Sequence, residues 1–135
     1  MTRKVIHSEG APKPIGPYSQ AIEAAGLLFC SGQIPLDPQT GVLVSGDIAV
    51  QTKRILDNFE AVLKAGGSTL RNAVKLTVYL TNLADFESLN KVLAERFQEA
   101  PPARAVVQVS ALPKGASVEM DLIALKSSTE ERGNG

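Results

Sequence analysis

Helical periodicity occurs in two stretches of this 135-residue chain, and the other apolar residues fall in short runs typical of β-strands. The first stretch follows Asp47, a credible N-cap, and ends at Gly66-Gly67. Its apolar stripe consists of Ile48, Thr52, Ile55, Leu56, Phe59, Val62 and Leu63. The second runs from about Leu83 to Gln98, before Pro101-Pro102. Two amphipathic helices can cover only one face of a sheet, which predicts an α+β domain.

Six segments have the composition of strands. They are Lys4 to Ile6, Ser19 to Ala24, Leu27 to Ser31, Val74 to Leu80, Ala103 to Ala111 and Ser117 to Lys126. The uncovered face of their sheet carries apolar residues, either Ala105, Val107 and Val109 or their opposite-parity partners, and this predicts self-association. We expect one domain over residues 1–126 and a flexible polar tail over 127–135.

Composition weighs against several classes of protein. Fourteen basic residues balance fourteen acidic ones and aromatic residues make up 4%, so the charge clusters and stacking platforms of nucleic-acid binding are poorly supplied. One cysteine, Cys30, and one histidine, His7, exclude zinc sites built from several such ligands. No apolar run approaches the length of a membrane span. Since an intramolecular disulfide cannot form, a soluble protein of the reducing cytoplasm is the expectation.

Two charged residues interrupt apolar runs in the C-terminal third of the chain. Arg104 leads into the run 105–109, and Glu119 lies within the run 118–125. Charges in such runs are rarely fully buried unless they are paired or face a cleft. A guanidinium can bind a small carboxylate at two points, and a nearby carboxylate can hold or activate a water. Two interpretations stay open: an ion pair between neighbouring strands, or a carboxylate-binding site.

Other candidate site residues also have structural alternatives. Asn90 falls on the apolar stripe of the second helix, so its amide either ties down a neighbouring loop, which the residues alone favour, or faces a cavity. Tyr18 ends a proline-rich loop and either reaches a site or covers the edge of the core. Ser31 and Gly32 suit hydrogen bonding to a ligand, through the hydroxyl and the unobstructed backbone. Cys30 has no partner base, and we expect a buried apolar role.

Several motifs occur together and in order along the chain. They are Pro102-Ala103-Arg104-Ala105-Val106-Val107-Gln108-Val109-Ser110-Ala111-Leu112, followed after five residues by Val118-Glu119-Met120, together with Ile15-Gly16-Pro17-Tyr18-Ser19-Gln20 and Ser31-Gly32-Gln33-Ile34-Pro35. From about Lys4 to Lys126 the chain resembles the reactive intermediate deaminase family, RidA/YjgF. The resemblance implies a chorismate-mutase-like α+β fold, a mixed sheet with two helices on one face, that assembles as a homotrimer with clefts between subunits.

The same resemblance implies an activity, that of a 2-iminobutanoate/2-iminopropanoate deaminase. Reactive 2-imino acids, the enamine or imine products of pyridoxal-phosphate enzymes, would be hydrolysed to 2-oxo acids and ammonia, without metal or organic cofactor. Arg104 would bind the substrate carboxylate and Glu119 would position the attacking water. The cleft would be lined by Tyr18, Ser31, Gly32 and Asn90. Many bacterial relatives have cysteine where this chain has Val106, whose backbone amide is still able to donate to the ligand.

Two alternative functions stay open. One is a non-catalytic regulatory or chaperone module that binds small carboxylates through Arg104. The other is an endoribonuclease or translation inhibitor, an activity ascribed to some members of the family, against which the zero net charge and the lone His7 weigh. The expected partners are a small 2-imino or 2-oxo carboxylate and further copies of the chain, with no membrane and no nucleic acid. Small imines derived from alanine or threonine are the first guess for the substrate.

Overall fold

A computed structural model describes residues 2–127, which form one six-stranded sheet and two α-helices. The elements are β1 (Lys4–Ile6), β2 (Ala21–Ala24), β3 (Leu27–Gln33), α1 (Ile48–Ala65), β4 (Ala73–Leu80), α2 (Phe86–Arg96), β5 (Ala103–Gln108) and β6 (Val118–Leu125). The strand order is β1-β2-β3-β6-β4-β5. Strands β4 and β5 are parallel, and all other neighbours are antiparallel. The predicted α+β architecture with a mixed sheet is confirmed.

The hydrophobic core lies between one face of the sheet and the two helices. Alternate residues of β4, namely Leu76, Val78 and Leu80, are at most 1% exposed because side chains alternate between the faces of a strand. They belong to one cluster with the apolar stripes of α1 and α2. The predicted N-cap of α1 is confirmed, since Asp47 accepts a hydrogen bond from the amide of Val50 at 3.0 Å.

The opposite face of the sheet is uncovered in the protomer, and we call it the open face. Phe29 on β3 and Val107 on β5 are both 42% exposed there, whereas Val106 packs against the core. The sequence left open which alternate residues of β5 lie on the uncovered face. The structure places the set containing Val107 there, facing away from the helices. Exposed apolar residues on a sheet face favour self-association, which stays a prediction.

Several predicted boundaries shift by a few residues. The second helical stretch begins with a 3₁₀ turn over Leu83–Asp85, and the α-helix covers only Phe86–Arg96. Strand β3 continues past Ser31, and β5 ends at Gln108. The expected tail lies outside the described residues except for Ser127, whose amide donates to the carbonyl of Gly67 at 3.1 Å. Within residues 2–127, neither helix has the length and apolar character needed to cross a membrane.

Candidate ligand-binding site

Arg104 and Glu119 lie on opposite faces of the sheet. Arg104 pairs in register with Leu76 of β4 and shares its helix-covered face, whereas Glu119 pairs with Tyr79 and shares the open face. Strand β4 also separates β5 from β6 in the sheet. The interpretation of an ion pair between neighbouring strands is therefore wrong within one protomer. Each charge borders a separate cavity instead.

Arg104 is held by helix α2. Its Nη1 donates to Oδ1 of Asn90 at 2.5 Å, and its guanidinium carbon lies 5.5 Å from the centre of the Phe86 ring. Among the described residues, no acidic side chain forms an ion pair with Arg104. Because a guanidinium carries five N–H donors, further donors stay available for an anion. Asn90 thus orients Arg104 and does not tie down a loop, the role that the residues alone had favoured.

A cavity of about 560 Å³ adjoins this guanidinium, and we call it the Arg104 cavity. Its lining consists of Leu76, Asn90, Leu93, Ala94, Phe97, Pro101, Pro102 and Arg104. Arg104 is the one charged residue in that set. Such a lining accommodates a ligand that has one anionic group and is otherwise apolar.

Glu119 borders a second cavity, of about 350 Å³, which we call the Glu119 cavity. The proline-rich loop, the end of β3 and the start of β6 meet there. Its lining consists of Pro12, Lys13, Ile15, Tyr18, Gln20, Ser31, Gly32, Gln33, Ile34, Leu36, Pro113 and Glu119. The structure thus brings together four of the predicted site residues, Tyr18, Ser31, Gly32 and Glu119, and places Asn90 and Arg104 elsewhere.

A glycine at position 32 makes room for the Glu119 carboxylate. A Cβ atom on Gly32 would lie 2.3 Å from Oε2 of Glu119, so any other residue would displace that oxygen. The register between β3 and β6 shifts beside it, between Cys30 and Gln33. Burial raises the pKa of Glu119, and the carboxylate of Asp121 raises it further. A carboxylate with a raised pKa is better matched to exchanging protons near neutral pH.

Asp121 and Tyr79 complete the polar cluster on the open face. Asp121 lies two residues beyond Glu119 on β6, and its Oδ2 accepts a hydrogen bond from the Tyr79 hydroxyl at 2.9 Å. That bond raises the pKa of Tyr79, and burial and the charges of Asp121 and Glu119 add to the effect. Neither residue was predicted from the sequence as part of a site. The signal available for Asp121 was a second acid at the same strand parity as Glu119.

Buried hydrogen bonds position the proline-rich loop at the rim of the Glu119 cavity. Gln20 is 2% exposed, and its side chain accepts from the amide of Ser8 at 2.6 Å and donates to the carbonyl of Pro12 at 3.0 Å. Ser31 donates its hydroxyl to the carbonyl of Ser19 at 2.6 Å. Together they bracket Tyr18, which is 48% exposed. Gln20 was not predicted as a site residue, although an amide within a predicted strand was a signal for it.

The backbone of Val106 faces an unpaired sheet edge. Val109 donates its amide to the carbonyl of Leu80 on β4 at 2.8 Å. Because backbone groups alternate in direction along a strand, the amides of Arg104 and Val106 point away from β4. Strand β5 is the last in the sheet, so these amides lie at its free edge. They are placed to donate to a molecule that lies along this edge.

Cys30 has the buried, apolar role that was predicted for it. It is 6% exposed, belongs to the main hydrophobic cluster, and has a pKa raised to about 12 by burial. A thiol with such a pKa is not ionised near neutral pH and is a poor nucleophile. Within residues 2–127, no group of three His, Cys, Asp or Glu side chains is arranged to hold a metal ion.

Residues 8–126 match the family described as endoribonuclease L-PSP. A RutC family protein of Pyrococcus abyssi is 52% identical over 93% of this chain and 99% of its own length. The 2-iminobutanoate/2-iminopropanoate deaminase of Bos taurus is 44% identical over 93% of this chain and 92% of its own. The crystal structure of E. coli TdcF with bound serine has a TM-score of 0.85 and 38% identity, covering 92% of this chain and 99% of that one.

Proposed function

The chain belongs to the RidA/YjgF family, and on that premise we propose that it hydrolyses reactive 2-imino acids to 2-oxo acids and ammonia. The observation that carries the proposal is the guanidinium of Arg104, which Asn90 orients and no described acid neutralises. Such a group suits a small carboxylate. The deaminase name of the bovine relative supports the reaction class, and the single buried thiol fits the cytoplasm as its location.

The proposed site forms between two copies of the chain. No predicted site residue lines both the Arg104 cavity and the Glu119 cavity, and the sheet lies between the two charges. One copy would supply Arg104 and Asn90, and its neighbour would supply Glu119, Ser31, Gly32 and Tyr18. The exposed apolar residues of the open face favour the association of copies that this requires, and we propose a homotrimer.

The reaction needs orientation more than activation, because an imine beside a carboxylate is already a good electrophile. Arg104, with the amide of Val106, would hold the substrate carboxylate and so direct C2 towards the neighbouring copy. There Glu119 would hold a water and take a proton from it as the oxygen bonds to C2. The resulting carbinolamine would receive that proton on nitrogen. The hydroxyl proton of the carbinolamine would then pass to the same nitrogen, the C–N bond would break to release ammonia, and the C–O bond would become the carbonyl of the 2-oxo acid.

A coupled assay tests the proposal. Threonine dehydratase generates the imine from threonine, and its decay is followed with and without the chain. We expect Arg104→Ala to slow the accelerated decay by about 100-fold or more, because a two-point charged contact is lost. Arg71→Ala is the matched control, since Arg71 is also exposed and makes only a 3.6 Å ion pair with Glu99. A near-normal rate for Arg104→Ala would refute the mechanism.

The same assay separates the alternatives. Binding of 2-oxo acids without faster imine decay would instead indicate the regulatory or chaperone module. The family description names an endoribonuclease, but the net charge is zero and the one histidine, His7, is exposed and bonds to Glu9. RNA cleavage that persists through purification and disappears in Arg104→Ala would establish that function in place of the deaminase.

A further inference from the structure

We propose that the Arg104 cavity receives the side chain of the substrate, so that this chain selects 2-imino acids with branched apolar side chains. The leucine-derived imine would be preferred over the alanine-derived one. The inference rests on the proposed function, because it takes Arg104 as the ligand of the substrate carboxylate. It reverses the guess that small imines are the natural substrates.

The chemistry of the lining supports this preference. Six of the eight lining residues are apolar, and three of them, Leu76, Leu93 and Phe97, are at most 7% exposed and form part of the main core. The polar exceptions are Arg104 and Asn90, whose side chains bond to each other. A hydroxyl or a second charge on the substrate side chain would enter a region that offers it no further side-chain partner.

The cavity lies where the side chain of a 2-imino acid would be if its carboxylate were bound to Arg104. Its side chain is attached to C2, the atom next to the carboxylate, so a carboxylate on Arg104 brings the side chain within a few bonds of the same guanidinium. The cavity begins there and lies on the helix-covered side of the sheet. Two groups extend from C2 besides the carboxylate. If the imine faces the water on the neighbouring copy, the side chain is directed to this cavity.

The volume of the cavity determines which substrate side chains bind more tightly in it. It holds about 560 Å³, within the range of small-molecule sites, and a methyl group would leave most of that space in contact with water. An isobutyl group buries more apolar surface against the same walls, and each additional methylene strengthens binding by roughly fourfold. Over the additional carbons, and allowing for incomplete burial, we expect a preference of about tenfold or more.

Ala94 is the residue at which this inference can be tested without disturbing the core. It lies on α2, lines the cavity and is itself exposed, so it forms part of the rim. A phenyl ring at this position would occupy the cavity from the helix surface. Ala65, the last residue of α1, is also exposed and lines neither the Arg104 cavity nor the Glu119 cavity. Ala65→Phe is therefore the matched control for Ala94→Phe.

The experiment measures binding of 2-oxo acids, the proposed products, to the intact purified protein by calorimetry. We expect 4-methyl-2-oxopentanoate to bind about tenfold or more tightly than 2-oxopropanoate. In Ala94→Phe the larger ligand should lose its advantage, to within about twofold, while the smaller one binds as before. Ala65→Phe should keep the full preference. Methyl NMR signals of Leu93 and Ala94 should shift strongly only with the larger ligand.

The outcomes separate this inference from the function on which it rests. Equal affinity for the two oxo acids, or an unchanged preference in Ala94→Phe, overturns the inference and leaves the deaminase proposal standing. Failure of both oxo acids to bind removes the carboxylate site and both proposals with it. A clear preference that Ala94→Phe abolishes, in a protein that does not accelerate imine decay, supports the cavity as a side-chain subsite and refutes only the catalytic role.

Discussion

A mixture of two inactive variants should recover activity if the site is shared between copies. Arg104→Ala removes the group proposed to bind the substrate carboxylate, and Glu119→Gln removes the proposed proton acceptor from the other half of the site. Neither residue belongs to the buried core, so both variants should fold. They are purified separately, mixed in equal amounts under conditions that allow subunit exchange, and assayed for imine decay beside threonine dehydratase.

The expected recovery follows from the separation of Arg104 and Glu119 by the sheet. A shared site is intact only when the copy that contributes Arg104 is a Glu119→Gln chain and the neighbour that contributes Glu119 is an Arg104→Ala chain. With random exchange in equal amounts, about a quarter of all sites meet this condition, in a trimer or in any other closed ring. The mixture should therefore reach about a quarter of the wild-type rate, far above either variant alone.

Asn90 provides the control for this experiment. It bonds to Arg104 within the same copy, so both residues belong to one half of the site. A mixture of Arg104→Ala and Asn90→Ala contains no copy with an intact Arg104 half, and its rate should stay at the mean of the two separate variants. If the first mixture also stays at that mean although exchange has occurred, the two charges do not act in a site shared between copies.

Three further predictions concern the Glu119 cavity and the packing beneath it. Gly32→Ala should lower kcat by about 100-fold with little change in melting temperature, because the new Cβ displaces the flexible carboxylate of Glu119 by about 1 Å and leaves the core intact. Burial raises the pKa of Glu119, and the charge of Asp121 raises it further. The ionised form of Glu119, and with it kcat, should therefore be lost as the pH falls through that raised pKa. Asp121→Asn should lower the pKa of Glu119 and move the acidic limb of the pH–rate profile to lower pH. Asn58 is fully buried in α1 and donates to the carbonyl of Leu36 at 3.0 Å, so Asn58→Ala should reduce the free energy of unfolding in urea by about 1–3 kcal/mol by leaving that carbonyl without its partner.

Each of these predictions has an outcome that contradicts it. Full activity in Gly32→Ala would show that the position of the Glu119 carboxylate is not critical; Gly10→Ala, whose nearest contact would be 3.4 Å from the new Cβ, is the matched control. An acidic limb that does not move, or that moves to higher pH, in Asp121→Asn would show that the limb does not report Glu119. Unchanged urea stability in Asn58→Ala would show that the loop carbonyl finds another partner.

Local signals in the sequence determined the elements and identified the charged candidates. The ends of α1 follow from Asp47 and Gly66, because caps and helix-stopping glycines act within one turn. Arg104 and Glu119 were identified because charged residues are uncommon in apolar strands. The motifs around them also led to the family. All of these signals come from residues that are neighbours along the chain.

The tertiary structure decided which of these residues lie together. The insertion of β4 between β5 and β6, and the register of each pairing, place Arg104 beside Asn90 and Glu119 beside Gly32. A strand's own sequence shows that its residues alternate between two faces, but the face that each one takes depends on pairing with distant segments. The buried amides of Gln20 and Asn58 were missed for the same reason, since their partners lie in loops 8 to 22 residues away. The sequence by itself thus determined the elements and the chemistry of the candidate residues, and only the folded sheet placed Arg104 and Glu119 at two separate cavities.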